Sequence, residues 1–171
     1  MPTRTVRSRP GSEVHRNAER VQEALRAAGS DAAVVELPTS ARTSAEAAAT
    51  IGVAVGQIAK SLVFAVDGEP VVAVLSGTDR LDPERLCRAV GGTRVERLDA
   101  DAVRAATGFP IGGVSPLAHG VRVVVDRGLA SYDVVWAAAG TPHAVFPTTF
   151  DELVSASGGA VVDVRAAPHV G

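Results

Sequence analysis

A chain of 171 residues with a net charge of −2 has room for one domain with a full core and carries no overall basic field of the kind that gathers nucleic acid. One cysteine, Cys87, excludes an internal disulfide and any multi-cysteine metal site. No apolar run is long enough to cross a bilayer, and the N-terminus has arginines but no apolar signal core, so a soluble, cytoplasmic chain without membrane or DNA partners is expected.

Residues 1–11 read as a mobile basic arm, and 12–171 as a single domain. Arg4, Arg7 and Arg9 either meet phosphate or belong to a solvated tail. From Ser12, Val14, Ala18, Val21 and Leu25 fall on one helical face, and Gly29 closes the helix. "AAVVELP" reads as a short strand. Thr43 and Glu46 form a capping box for a helix ending at Gly52. "KSLVFAVDGEPVVAVLSG" is a hairpin around Asp67-Gly68, a type I′ pair. Asp82-Pro83 opens a helix that ends at Gly91-Gly92, with Cys87 at a buried position, and Asp99 opens another, stopped by Gly108. "VRVVVD" is near-continuously apolar and predicts a central strand. "YDVVWAAAGTPHAVFP" predicts two strands around Gly140-Thr141, Thr149 and Glu152 a second capping box, and "AVVDV" a last strand. Strands and helices mix without strict alternation. The expected fold is α+β or mixed α/β, with a curved, mostly antiparallel sheet surrounded by helices.

Two features stand out. "TGFPIGGVSPLAHG", residues 107–120, has no apolar period. Its Gly112-Gly113-Val114-Ser115-Pro116 run is either a structural turn or a cradle whose main-chain amides converge on an anion or oxyanion. Lys60, the only lysine in the chain, stands at the entrance of a strand. It is either an ordinary surface lysine, or a group that holds a phosphate, ribose or carboxylate, or a Schiff-base amine. His119 follows the glycine loop and reads as a loop cap or a functional imidazole. Asp126 ends an apolar strand, where it caps the next turn or orients a polar group. Ser115 lacks the setting of a serine nucleophile. The four histidines have no metal-ligand spacing, so neither metal nor cofactor is expected.

In this order, "TSAEAAATIGVAVGQIAKSLVF", "LSGTDRLDPERLCRAVGG", "ATGFPIGGVSPLAHG", "WAAAGTPHAVF" and "FDELVSASGGAVVDV" resemble the YbaK-like aminoacyl-tRNA deacylases, relatives of the editing domain in bacterial prolyl-tRNA synthetase. The resemblance spans roughly Thr43 to Val164. It implies a YbaK-like editing-domain fold and hydrolysis of the ester on a mischarged tRNA 3′ end. The tRNA expected is tRNA-Pro carrying a small wrong amino acid, and prolyl-tRNA synthetase is a further implied partner. Lys60 matches the family lysine, and Gly112 to Pro116 matches the family G-x-x-x-P loop. The catalytic set implied is Lys60, Gly112, Gly113, Val114 and Ser115. Thr43, Ser61, Ser76, Pro116, His119, Asp126 and Gly140 are expected to contact the substrate. Thr43 stands where cysteine-specific members have tyrosine, and Ser61 where alanine-specific members have asparagine. Two other readings use the same residues: a catalytically silent tRNA- or amino-acid-binding regulator, and a Lys60 Schiff-base lyase.

Overall fold

A computed structural model describes residues 13–167, with side chains from Arg16 onward; the expected arm lies outside the described residues. Five helices occur among them: α1 (Glu13–Ala27), α2 (Ser44–Ile51), α3 (Pro83–Ala89), α4 (Ala100–Thr107) and α5 (Phe150–Ser157). The strands are β1 (Val35–Glu36), β2 (Ile58–Val66), β3 (Glu69–Ser76), β4 (Val95–Arg97), β5 (Arg122–Asp126), β6 (Val135–Ala138), β7 (Ala144–Thr148) and β8 (Ala160–Val162). They form one mixed sheet in the order β1-β7-β6-β2-β3-β5-β8, with β4 beside β2. The pairings of β2 with β3 and β4, and of β7 with β1 and β6, are antiparallel. Those of β2 with β6, and of β5 with β3 and β8, are parallel.

The apolar runs of β3 and β5 are continuous because both sheet faces are covered. Alternate residues go to opposite sides. Val72, Val74, Val123 and Val125 join Val21 and Leu25 of α1, Val103 of α4 and Leu153 of α5. Val71, Ala73 and Val124 instead meet Leu86 and Cys87 of α3. A third cluster seats Ala47 and Ala48 of α2 on Ile58 and Val145. Of the first helix's expected apolar face, Val21 and Leu25 are buried and Ala18 packs partly; the side chain of Val14 lies outside the described residues.

Local chemistry sets the element ends. Asp67 and Gly68 both have positive φ, as a type I′ turn requires. Asp82 and Asp99 accept the first free amides of α3 and α4. In both threonine boxes the hydroxyl accepts the amide three residues on. The return bond lands one residue early: Glu46 accepts the Arg42 N–H, and Glu152 the Thr148 hydroxyl. β4 was not foreseen. It has three residues and is half exposed, too short for a period, and the Asp67 carboxylate draws it in by accepting from Thr93 and Arg94.

Candidate functional site

β2 is paired with β3 from Ala59 to Val66. On its other edge it meets β6 at Ile58 and Ala59, and β4 only from Phe64 onward. Residues 60–63 have no strand in register on that side among the described residues. The Ile58 carbonyl accepts from Gly77 on the β3 side, so by antiparallel alternation the main-chain groups of Ser61 turn toward the gap. A cavity of about 330 Å³ opens there, within the size range of small-molecule sites.

Lys60 and Ser61 line this cavity, with Thr43 at the start of α2 and Gly112 and Val114 of the glycine loop. Two sequence features far apart in the chain thus meet in one space. Lys60 is half buried, and its Nζ donates to the Asp79 carbonyl. Burial lowers its pKa from the ordinary lysine value; the Asp79 charge opposes this, and Arg80 adds to it. The Ser61 hydroxyl is buried without a hydrogen-bond partner among the described residues, a state that a ligand group would relieve.

The loop is built for close approach. Gly112 has φ +86 and open space beside its Cα, with only Pro142 Cγ at 3.9 Å from a notional Cβ. At Gly113 a Cβ would lie 2.6 Å from the Thr141 main chain. The Gly113 amide donates to the Pro110 carbonyl at 3.0 Å, so it is committed to the turn. Gly112 and Val114 are the loop positions that reach the cavity. Their wall is braced from α1: Asn17 donates to the Gly140 carbonyl at 2.9 Å, and Arg20 donates to the Ala118 carbonyl and lies 4.9 Å over the Phe109 ring.

Several residues expected at the substrate lie outside the lining of this cavity. Asp126 is fully buried away from the cavity lining. It accepts from Gly128 and Val164 and pairs with Arg165 at 3.0 Å, which makes it the cap between β5 and β8. The Ser76 hydroxyl donates to the Gly56 carbonyl at 2.7 Å. Ser115 and Pro116 are buried, and the Ser115 hydroxyl accepts from Leu117. Gly140 is pressed against Asn17 and Phe109, where a Cβ would lie 2.8 Å from each. His119 accepts the Val121 N–H on Nδ1 at 3.0 Å and faces Phe109 edge-on. Burial holds its pKa below the ordinary value, helped by Arg20 and opposed by the carbonyls of Pro116 and Ser115. None of these six lines the cavity. Asp126, Ser76 and Ser115 are held in the wall or the sheet by main-chain or charged partners, whereas His119 keeps its Nε2 buried without a hydrogen-bond partner among the described residues.

The cavity also recruits residues that the sequence reading does not single out: Arg42, Arg97, Ile111, Trp136 and Thr141. Ile111 is 56% exposed, an apolar side chain offered to solvent at the end of the loop. In the sequence Ile111 sits between Pro110 and Gly112, where no core periodicity explains an isoleucine. No group of three or more histidine, cysteine or acidic side chains is placed to hold a metal ion among the described residues. No helix there is long and apolar enough to cross a membrane.

Comparison with known proteins gives this geometry a context. The family described as aminoacyl-tRNA editing domain matches residues 39–156. The uncharacterized protein YwhH of Bacillus subtilis (strain 168) is 35% identical over 122 residues, covering 70% of this chain and 78% of that protein. A proline–tRNA ligase of Nitratidesulfovibrio vulgaris (strain DP4) is 38% identical over 108 residues, 61% of this chain but 19% of the ligase. The chain therefore spans about a fifth of that ligase. A crystal structure of a candidate trans-editing enzyme for prolyl tRNA synthetase superposes with a TM-score of 0.82 at 43% identity, covering 88% of this chain and 98% of that one. With the matched segment carrying Lys60, the glycine loop and the gap in β2 that joins them, the chain belongs to the YbaK-like aminoacyl-tRNA editing domain family.

Proposed function

We propose that the chain hydrolyses the ester between a wrong amino acid and the 3′-terminal adenosine of a tRNA. The observation that carries this reading is that Lys60, Gly112 and Val114 line one cavity. An aminoacyl ester is already activated, so positioning and charge stabilisation suffice. The ester carbonyl sits at the loop, where an amide free of the turn faces the oxygen as negative charge develops. One such donor is typically worth ~3–4 kcal/mol of barrier. Lys60 grips the ribose or its phosphate and fixes the carbonyl in place. Water adds to the carbonyl carbon, the bond to the ribose oxygen breaks, and that oxygen leaves with a proton. The products are the free amino acid and the tRNA 3′ hydroxyl.

We place the amino-acid end against the small apolar part of the lining, Ala59, Ala138 and Ala144, which suits a small side chain. Rejection of large residues is steric. Residues that differ by one methylene separate by only ~1–3 kcal/mol. The likeness to a proline–tRNA ligase and to a candidate trans-editing enzyme for prolyl tRNA synthetase favours tRNA-Pro as the carrier, with that synthetase as a partner.

A second reading draws on the cavity lining, which holds no carboxylate and no histidine. On that reading the protein binds an aminoacylated end without turning it over. A panel of mischarged tRNAs, with tRNA-Pro carrying alanine, cysteine or serine, separates the two. Release of amino acid at a rate proportional to enzyme supports the hydrolase. Saturable binding with no release supports the silent binder. Borohydride trapping of a carbonyl compound on Lys60 would replace both with Schiff-base chemistry.

A further inference from the structure

The charged residues lining the cavity are Arg42, Lys60 and Arg97, and no carboxylate accompanies them, although the chain carries a net charge of −2. The lining is thus positive, with the nearby Asp79 charge and the Glu46 carboxylate, which accepts the Arg42 main-chain N–H, set back from it. Lys60 is half buried, whereas Arg42 and Arg97 are exposed. Neither guanidinium has an ion-pair or hydrogen-bond partner among the described residues. Other surface arginines do: Arg94 pairs with Glu96, Arg85 with Asp82 and Arg127 with Asp163.

The fold places the three cations around one opening. Residues opposite each other in an antiparallel pair share a face, and Arg97 is opposite Phe64. Phe64 and Lys60 share a face by the strand's period of two. Arg97 therefore stands on the Lys60 side of the sheet. α2 covers that side at Ile58 through Ala47 and Ala48. Arg42 immediately precedes its cap, Thr43, with its N–H held by the Glu46 carboxylate at 2.8 Å. One arginine thus flanks the opening from α2 and the other from β4, with Lys60 on the strand between them.

We propose that Arg42 and Arg97 form a phosphate-binding rim that holds the ribose–phosphate backbone just 5′ of the terminal adenosine. This rests on the reading of the cavity as the seat of an aminoacylated tRNA end. A free amino acid or a simple ester offers no phosphate, so unpaired guanidinium groups at the mouth suit a nucleic-acid end. Guanidinium binds phosphate with two parallel hydrogen bonds, which fixes orientation as well as charge. The rim supplies local attraction that the net charge withholds, and it tells an RNA terminus from a small ester before any chemistry occurs.

The test compares binding of the trinucleotide CCA with binding of adenosine, for the wild-type protein, Arg42→Ala, Arg97→Ala and the two Arg→Lys variants, across a range of salt. Both positions are exposed, so the variants should fold. The wild type should prefer the trinucleotide. Each alanine variant should weaken trinucleotide binding about tenfold, as loss of a charged hydrogen bond does, and should flatten the salt slope by about one contact. Adenosine binding should stay unchanged, and the lysine variants should recover part of the loss. Equal binding of trinucleotide and adenosine by the wild type, or unchanged affinity and salt slope in both alanine variants, would overturn the rim. Deacylation run in parallel keeps the two ideas apart. Arginine-dependent trinucleotide binding without hydrolysis leaves the rim standing and removes the hydrolase. Hydrolysis with an unaltered KM in both alanine variants removes the rim and leaves the hydrolase.

Discussion

β2 and β3 are two arms of one hairpin, joined by Asp67-Gly68 and in register from Ala59–Ser76 to Val66–Glu69. β3 has strands on both edges, and Val71 to Ser76 are all buried. β2 has the same apolar character, yet residues 60–62 are only half buried, where neither β6 nor β4 reaches its outer edge. The pair Lys60 and Leu75 sits directly across this hairpin, one at the cavity and one fully buried. The difference teaches that the candidate site is made where sheet pairing is interrupted. The interruption frees main-chain groups and lets a cation sit where the neighbouring strand admits only valine, alanine and leucine.

That pair offers the sharpest break. Lys60→Ala should lower kcat/KM roughly a hundredfold or more, the scale of a lost positioning contact, with the thermal midpoint nearly unchanged. Leu75→Ala should do the reverse, costing ~2–5 kcal/mol of stability as a core truncation does, with activity per folded molecule retained. Because burial depresses the Lys60 pKa, activity that needs the ammonium should fall as pH rises, starting below the ordinary lysine range. A rate that climbed through that range would recast Lys60 as a base.

The two loop glycines provide a finer contrast. Gly113→Ala puts a methyl group against the Thr141 main chain, and overpacking of this kind costs ~1–3 kcal/mol; the wall should shift, and kcat with it. Gly112→Ala meets no atom closer than Pro142 Cγ at 3.9 Å. Its penalty is the left-handed φ alone, ~1–2 kcal/mol. Thermal unfolding beside kcat per folded molecule should rank Gly113→Ala as the more damaging on both scales. The opposite order would mean that the loop's shape, and not its contact with the β6–β7 turn, sets the site.

The smallest effect concerns His119, which supports the loop from behind. Its folded pKa lies below its unfolded value near 6.5. Between those two values the unfolded chain binds more protons, so stability should fall as pH drops through that window and level off below it. Denaturant unfolding of wild type and His119→Gln between pH 7 and pH 4 reads this directly. An identical pH dependence in the two proteins would assign the acid sensitivity to another group.

Most of the architecture was legible from the chain. The caps at Asp82, Asp99, Thr43 and Thr149, the Asp67-Gly68 turn and the valine runs all act within a few residues, where local hydrogen bonding and periodicity decide the outcome. The site was legible in part. Lys60 and the glycine loop stood out because their residue types are unusual in their surroundings. Arg42, Arg97 and Ile111 did not, since an exposed arginine or isoleucine means nothing until the space beside it is known. Substrate contact by Asp126, His119 and Ser76 is implied by the resemblance; outside the cavity lining, the fold gives them internal hydrogen-bond and charge partners.

The sequence by itself determined most of the helices and strands, β4 excepted, the side chains that cap them, and that one lysine and one glycine-rich loop are set apart. Only the tertiary structure decided that β6 and β4 stop short of each other along β2, and that Gly113 lies against Thr141. Strand pairing and main-chain packing between distant segments depend on the combined lengths and positions of all the elements. No local pattern encodes a gap between two strands that never adjoin in the chain.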